Sequence, residues 1–443
     1  MATEVVATQT PATTVLAPAS GIKPSDLTSV SESAVPSTTD NAHVSSDEGS
    51  LDVDIESVTA FASLIRFHRR ITFYSDSVQC TINVTYGVAG VIERNAPTLL
   101  FAGGMYGGRW NAPWVDYLCR QKGVRVIFID RPGLGGSTPV HVSKRVPVWL
   151  ETVPKVLSAL EVSQVGLIAH SCGIIYAFNT VYHTPELLSP GMPLVLLSPW
   201  VHPSKSGVKM LTIASAMPAG VMQGLNKVTS FLVKNLIPSP GDKEGKNKTK
   251  EHQKQKDHQQ QQQQRKQPTN KTLSAEDKKW LESTGFVASE TEEFRNYFIK
   301  MFFAEDTTGA SEEASLGLKH GGGKPGQGHY WGVCDDYERF VARLAEKAKG
   351  QTQTKENETK DEEKKEKLHI VAYFGSKDSY LGSGGQKYLR DVWSSPLARQ
   401  VADFEIEEVK GLDHDGVALP ENGVLGRVLD MAVAAAVSTG PKP

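Results

Sequence analysis

Residues 165–173 read VGLIAHSCG, a short apolar run that ends at a serine flanked by small residues. The segment that follows carries apolar residues at helical spacing. This pattern predicts a buried strand, a tight turn that presents Ser171, and then a helix. Such a turn accepts only small residues two positions before and two positions after the serine, and Ala169 and Gly173 meet that demand.

Apolar runs of strand length recur on both sides of this turn, with helical patterns between them. The other continuous runs are residues 98–102, 124–130, 193–198 and 368–375, and a strand pattern returns at residues 404–409. Near the start of this series, residues 71–73 and 80–86 alternate apolar and polar side chains, which is typical of an antiparallel edge. Strands that are apolar on both faces and alternate with helices predict an α/β fold: a mostly parallel central sheet with helices on both faces.

Composition narrows the classes of partner and the compartment. The chain of 443 residues has a formal net charge of −2, which gives no reason to expect nucleic acid or an anionic membrane as partner. Its four cysteines are widely separated, which indicates neither a disulfide framework nor a zinc site and fits a reducing compartment. No basic residue precedes Lys23 and no apolar core of signal-peptide length is present, so we expect a cytoplasmic protein without a transmembrane span.

Shifts in composition divide the chain into segments. We expect a disordered tail over residues 1–55 and a sheet domain built from residues 56–202 and 368–443. Between the two parts of the sheet domain we expect a helical insertion over residues 203–349 and a charged linker over residues 350–367. The insertion contains low-complexity inserts at 239–272 and 319–327. Within the insertion, helical patterns cover residues 207–237, 274–285, 290–304 and 337–347. The first part of the insertion is rich in methionine and leucine. We interpret these side chains as ordinary core packing, in preference to the lining of a lipophilic acyl pocket or a membrane contact.

A serine hydroxyl becomes a nucleophile only with a base in reach and an acid that orients the base. Asp378 lies just past the run 368–375, and His414 lies just past the run 404–409. Loops at the C-terminal ends of parallel strands emerge at one edge of the sheet, so Ser171, Asp378 and His414 are expected to converge.

These motifs resemble those of the α/β-hydrolase family over roughly residues 60–200 and 368–440. The order serine, aspartate, histidine is the order of that family. The turn at Ser171 is similar to its Gly-x-Ser-x-Gly motif, with Ala169 in place of the first glycine. The sequence 103–107, GGMYG, is similar to the family's His-Gly-x-x-Gly loop, with Gly103 in place of the histidine.

A third motif adds to the resemblance. The turn 130–137, DRPGLGGS, is similar to the family's Asp-x-x-Gly-x-Gly-x-Ser, with Gly136 at the position before the serine. The resemblance implies a serine hydrolase with a helical cap over its site, and the cap would be the insertion.

The resemblance also implies the chemistry and the role of each residue. Ser171 would attack an acyl carbonyl, His414 would serve as base and Asp378 would orient it, while the N–H groups of Met105 and Cys172 would form the oxyanion hole. The substrate would be a small-molecule carboxylic ester or related acyl compound, lipophilic if the insertion lines its pocket. No metal and no organic cofactor is implied.

Two alternative functions remain open at the level of sequence. One is a catalytically silent hydrolase fold used as a binding or scaffold module; the other is an acyltransferase that uses the same triad. The oligomeric state is not indicated.

Several other polar residues near these motifs have ordinary structural interpretations. We expect His170 to be a packed or capping side chain and His369 to be structural. Asp413 and Asp415 are expected to be turn formers or solvated charges, and the expected surface charges of the insertion are Asp306 and Asp335.

Overall fold

The computed structural model describes residues 58–216, 274–320, 330–355 and 367–439. The N-terminal tail expected over residues 1–55 lies outside these ranges. The glutamine-rich insert predicted from composition also lies outside them, as do most of the second insert and most of the charged linker.

Eight strands form one sheet in the order β1-β2-β4-β3-β5-β6-β7-β8. The strands are β1 (Arg69–Ser75), β2 (Cys80–Gly90), β3 (Thr98–Ala102), β4 (Arg125–Ile129), β5 (Gly166–His170), β6 (Leu194–Leu197), β7 (Leu368–Gly375) and β8 (Ala402–Val409). The pairs β1–β2 and β2–β4 are antiparallel, and the other five pairs are parallel. The predicted antiparallel edge is therefore confirmed.

Helices cover both faces of this sheet. Those of the described residues are α1 (Val58–Ala62), α2 (Asn111–Gln121), α3 (Arg145–Ala159), α4 (Gly173–His183), α5 (Pro203–Ser206), α6 (Lys209–Ala216), α7 (Ala275–Thr284), α8 (Ala288–Ala304), α9 (Gly309–Gly317), α10 (Tyr337–Lys355), α11 (Gly382–Trp393), α12 (Ala398–Val401) and α13 (Val424–Thr439). None of them is both long enough and apolar enough to cross a bilayer.

The central strands are apolar on both sides because each side faces a separate core. In β3, Leu100 joins the core that includes α3 and α4, whereas its neighbour Leu99 joins the core that includes α2 and α13. In β5, Leu167 and Ile168 divide in the same way. The predicted fold class, an α/β fold with a mostly parallel sheet between helical layers, is confirmed.

The insertion between β6 and β7 is helical where it is described, and two of its elements depart from expectation. Helix α9, Gly309–Gly317, was not predicted, because its sequence GASEEASLG has no apolar periodicity of useful length. Helix α10 continues to Lys355 and so enters the segment predicted to be a linker.

The expectation that Asp335 is a surface charge is wrong. Its side chain is buried and forms an ion pair with Arg343 at 2.8 Å, and its carbonyl oxygen accepts from the Lys319 ammonium. Asp306, expected to be similar, is half-buried and accepts from the backbone N–H of Gly135 through its carbonyl oxygen at 2.8 Å. Asp306 thus contacts the sheet domain, whereas the partners of Asp335 lie within the insertion itself.

Candidate active site

Ser171 occupies a strained turn between β5 and α4. Its φ of 52° lies in the left-handed region, which non-glycine residues adopt at a cost. The turn is fixed on both sides by the backbone: the N–H of Ser171 donates to the carbonyl of Leu197 at 3.0 Å, and its carbonyl accepts from the N–H of Trp200 at 3.1 Å. The end of β6 and the segment that follows it thus hold Ser171 at the C-terminal edge of the sheet.

The two small residues that flank Ser171 are not equivalent. A Cβ atom at Gly173 would lie 1.9 Å from the carbonyl oxygen of Ala102, so this position requires glycine. Ala169 is fully buried in β5, opposite Ala102 and Leu196 of the adjacent strands, where its methyl group is accommodated. The methyl group of Ala169 therefore does not disturb the turn.

Ser171, His414 and Asp378 are brought together in one hydrogen-bonded chain. The Nε2 atom of His414 lies 2.8 Å from Ser171 Oγ, and its Nδ1 atom lies 2.8 Å from Asp378 Oδ2. The other carboxylate oxygen of Asp378 accepts from the N–H groups of Tyr380 and Leu381 at 3.0 and 2.9 Å. All three side chains that the sequence selected are buried at the same edge of the sheet.

Electrostatics favours a charged acid and a readily protonated base. Burial alone would lower the pKa of His414, but the hydrogen bond and charge of Asp378, with smaller effects of Asp415 and Asp413, raise it above its ordinary value. Burial alone would raise the pKa of Asp378, yet its hydrogen bond and charge interaction with His414 lower it below its ordinary value. Asp378 is therefore an anion that stabilises a cationic His414.

The glycine-rich loop after β3 lies directly against the serine. A Cβ atom at Gly104 would stand 3.2 Å from Ser171 Cβ and 3.0 Å from His170 Nδ1. A Cβ at Gly103 would lie 2.7 Å from the Cα of Gly107, across a turn closed by the hydrogen bond from Gly107 N–H to Gly104 O at 2.8 Å. This tight turn leaves no room for a side chain at residue 103, which accounts for glycine at this position.

Cys172 follows the serine and cannot replace it as nucleophile. Its thiol is buried, and burial, together with the nearby carboxylate of Glu313, raises the pKa of Cys172 to about 12. The thiol is therefore protonated at neutral pH. Its backbone N–H stands at the start of α4, where helix amides have no partner within the helix.

The remaining predicted residues have the structural roles expected for them. His170 is buried, with Nε2 at 3.1 Å from the carbonyl oxygen of His414, and burial lowers its pKa below the ordinary value. His369 is exposed and pairs with Glu405 across the β7–β8 edge. Asp413 accepts from the N–H of Gly416 at 2.8 Å, which closes the turn that carries His414.

One group of side chains in the described ranges has the composition of a metal site. Potential ligand atoms of His170, His414 and Asp415 lie within 4.8 Å of one another. One ring nitrogen of His414 contacts Ser171, however, and the other contacts Asp378. These hydrogen bonds compete with metal binding by His414.

Of the charged residues that surround the glycine-rich loop, the sequence motifs include Asp130 but single out neither Arg109 nor Arg131. Arg109 at its end pairs with Asp130 of the core and Glu305 of the insertion. Arg131 contacts the carbonyls of the loop and pairs with Glu313 of the insertion. An arginine two residues past the end of a buried strand, as Arg131 is past β4, is the signal that could have drawn attention to this edge.

Comparisons with known proteins found similarity only among solved structures. No protein-family model matches the chain, and no curated protein matches it. A carboxylesterase from the ammonia-oxidizing thaumarchaeon Nitrososphaera gargenis is similar with a TM-score of 0.47 at 11% identity, over 84% of this chain and 100% of that chain. A thermophilic esterase from Thermogutta terrifontis has a TM-score of 0.46 at 12% identity, over 83% and 99% of the two chains.

An epoxide hydrolase from Vigna radiata is also similar, with a TM-score of 0.46 at 15% identity over 84% of this chain and 99% of that chain. The fold class of this chain stands on the strand order and strand directions of its own sheet.

Proposed function

We propose that the chain is a serine hydrolase that cleaves a carboxylic ester or a related acyl bond through an acyl-enzyme intermediate. The observation that carries the proposal is the hydrogen-bonded chain from Ser171 Oγ through His414 to Asp378, with both contacts at 2.8 Å. A serine, a base and an orienting acid in this order form the minimal unit of acyl transfer.

In the first half-reaction Ser171 Oγ attacks the carbonyl carbon and His414 Nε2 takes the hydroxyl proton. The cationic imidazole is stabilised by Asp378, and the tetrahedral oxyanion is bound by the N–H groups of Met105 and Cys172. His414 then gives its proton to the departing alcohol oxygen, which leaves an ester between the acyl group and Ser171.

In the second half-reaction His414 removes a proton from water as the water attacks the acyl-enzyme. Collapse of the second tetrahedral intermediate returns the proton to Ser171 and releases the carboxylic acid. Each oxyanion donor in such a site contributes about 3–4 kcal/mol to transition-state stabilisation.

A fluorophosphonate probe tests the assignment, since it forms a covalent bond with an activated serine. The wild-type chain is expected to be labelled at Ser171, as read by mass spectrometry of the modified peptide, and Ser171→Ala is expected to be unlabelled. His414→Ala should keep the fold, read by circular dichroism, and lose about 10⁴-fold or more in the rate of p-nitrophenyl ester hydrolysis.

Equal labelling of wild type and Ser171→Ala would reject Ser171 as the nucleophile. A folded wild-type chain without labelling or turnover would favour a scaffold function instead. Rapid labelling together with turnover only when an alcohol acceptor is added would identify an acyltransferase with the same triad.

A further inference from the structure

Arg131 is a buried arginine whose side chain reaches the glycine-rich loop. It follows β4 and is 1% exposed. Its Nη1 atom donates to the carbonyl oxygen of Gly103 at 2.5 Å, and its Nη2 atom donates to the carbonyl oxygen of Gly104. One guanidinium therefore binds two successive peptide groups of the loop.

A bound carbonyl also fixes the amide on the other side of the same peptide. The peptide group is planar and trans, so its N–H points opposite to its C=O. The peptide that contributes Gly104 O contributes the N–H of Met105, which is one of the two proposed oxyanion donors. None of the described residues accepts a hydrogen bond from this N–H.

The charge of Arg131 also strengthens that N–H as a donor. A hydrogen bond from a cation to a carbonyl oxygen is stronger than one between neutral groups. It polarises the peptide, which increases the partial positive charge on the amide hydrogen at its other side. The buried position of Arg131 keeps water from weakening the effect.

Arg131 is held in turn by the insertion. The Oε1 atom of Glu313, on α9, lies 3.2 Å from Arg131 Nε and 2.7 Å from Arg145 Nε, and it accepts from Tyr176 Oη at 2.5 Å. The guanidinium of Arg131 also lies over the ring of Tyr176, at 4.9 Å from its centroid. Glu313 is fully buried, so its position is determined by the packing of α9 on the sheet domain.

Arg145 provides an internal comparison. Like Arg131 it is buried and pairs with Glu313, and the charge of Glu313 raises its pKa above the ordinary value in spite of burial. Its Nη1 atom, however, donates to the carbonyl oxygen of Pro132 at 2.8 Å, which is not part of the glycine-rich loop. The two arginines share an anion but hold different backbone segments.

We propose that Arg131 is a positioning residue that sets and polarises the Gly104–Met105 peptide for oxyanion binding, and that Glu313 of the insertion holds Arg131 in place. The inference rests on the proposed hydrolase function. It assigns to the insertion a role in organising the reaction centre.

The test compares Arg131→Met with Arg145→Met in the full chain, because each removes one buried guanidinium from Glu313. Arg131→Met is expected to lower kcat for a p-nitrophenyl ester about 100-fold with KM within about three-fold. Arg145→Met is expected to lower kcat less than about ten-fold. Arg131→Lys, which keeps the charge but not the two-pronged geometry, should have an intermediate kcat.

Melting temperature and circular dichroism establish that each variant is folded. If Arg131→Met does not fold, a comparison of Arg131→Lys with Arg145→Lys tests the same difference between the two arginines. Equal kcat losses in the Arg131 and Arg145 variants, or a kcat within three-fold of wild type for the Arg131 variants, would overturn the role of Arg131. A wild-type chain that neither labels at Ser171 nor hydrolyses ester would overturn the proposed function and this inference together.

Discussion

The turn at Ser171 and the glycine-rich loop 103–109 lie side by side but are held by different means. The turn is fixed by backbone hydrogen bonds from the end of β6 and the segment after it, and by the close approach of Gly173 to Ala102. The loop is fixed by charged side chains, Arg131 near its start and Arg109 at its end. The proposed nucleophile thus depends on the sheet, whereas the proposed oxyanion loop depends on charged side chains.

The ion pairs extend the comparison to the insertion. Arg109 contacts Asp130 of the core and also Glu305, whose other oxygen accepts from Trp110 Nε1 at 3.0 Å. Glu305 follows the end of α8, and Glu313 lies on α9, so both anions come from the inserted segment. Separate damage to the turn and to the loop should therefore have different consequences: the first for folding, the second for rate.

The largest effect is expected at the turn. Gly173→Ala places a methyl group 1.9 Å from the carbonyl oxygen of Ala102, so α4 or β3 must move. We expect the free energy of unfolding to fall by about 3 kcal/mol or more, measured by urea denaturation. Ala169→Gly is the matched control on the other side of Ser171 and should cost about 1 kcal/mol.

Equal stability of these two variants would contradict the view that the turn is held by close backbone packing. It would also mean that positions 169 and 173 require a small residue to the same degree, as the sequence motif by itself suggests.

A smaller effect, on rate and not on folding, is expected at the loop. Glu305→Gln removes the charge that binds Arg109 but leaves Asp130 in place, so the loop shifts without losing its support. We expect kcat for ester hydrolysis to fall about ten-fold, because small displacements of a reacting group are costly. Glu282→Gln, an exposed position on α7, is the control and should match wild type.

A Glu305→Gln variant with wild-type kcat would show that the insertion does not set the geometry of the loop. A variant that loses stability to the same degree as Gly173→Ala would show that turn and loop form one cooperative unit.

The sheet and the three residues of the proposed triad could be predicted because their signals are local. Continuous apolar runs mark strands buried on both faces, and the polar residues that follow them fall at one sheet edge. Asp378 follows such a strand and His414 follows the partly exposed edge strand β8, and the structure brings both within hydrogen-bond distance of the expected partners. The run 98–102 even matches β3 at both ends.

The supports of the glycine-rich loop could not be predicted in this way. The pair Arg131–Glu313 joins residues far apart in sequence, and nothing in either neighbourhood marks one as the partner of the other. Helix α9 is formed by small and polar residues whose packing against Cys172 and Tyr176 depends on the completed sheet. The same dependence on tertiary packing buried Asp335, which composition alone had placed on the surface.

The smallest effect is expected beside the base, at Asp415, and it tests whether His414 titrates as proposed. His414 accepts a proton only when neutral, so the rate falls as pH drops through its pKa, which Asp378, Asp415 and Asp413 raise. Asp415→Asn removes one of these anions, lowers the pKa of His414 and moves the acidic limb of the kcat/KM profile to lower pH. Because the Asp415 side chain is 56% exposed, the displacement should be larger at low salt than at high salt.

Asp403→Asn is the matched control, an exposed aspartate on β8 that pairs with Lys367 and does not contribute to the pKa of His414. Its acidic limb should coincide with that of wild type at both ionic strengths, and the plateau of kcat/KM at higher pH should be the same for all three proteins. An acidic limb that stays fixed in Asp415→Asn at low salt, or moves to higher pH, would contradict His414 as the titrating base. A shift seen only in Asp415→Asn would assign the pH dependence to His414, the histidine that contacts Ser171. The pH dependence would then belong to the turn and its base, and not to the ion pairs of the glycine-rich loop.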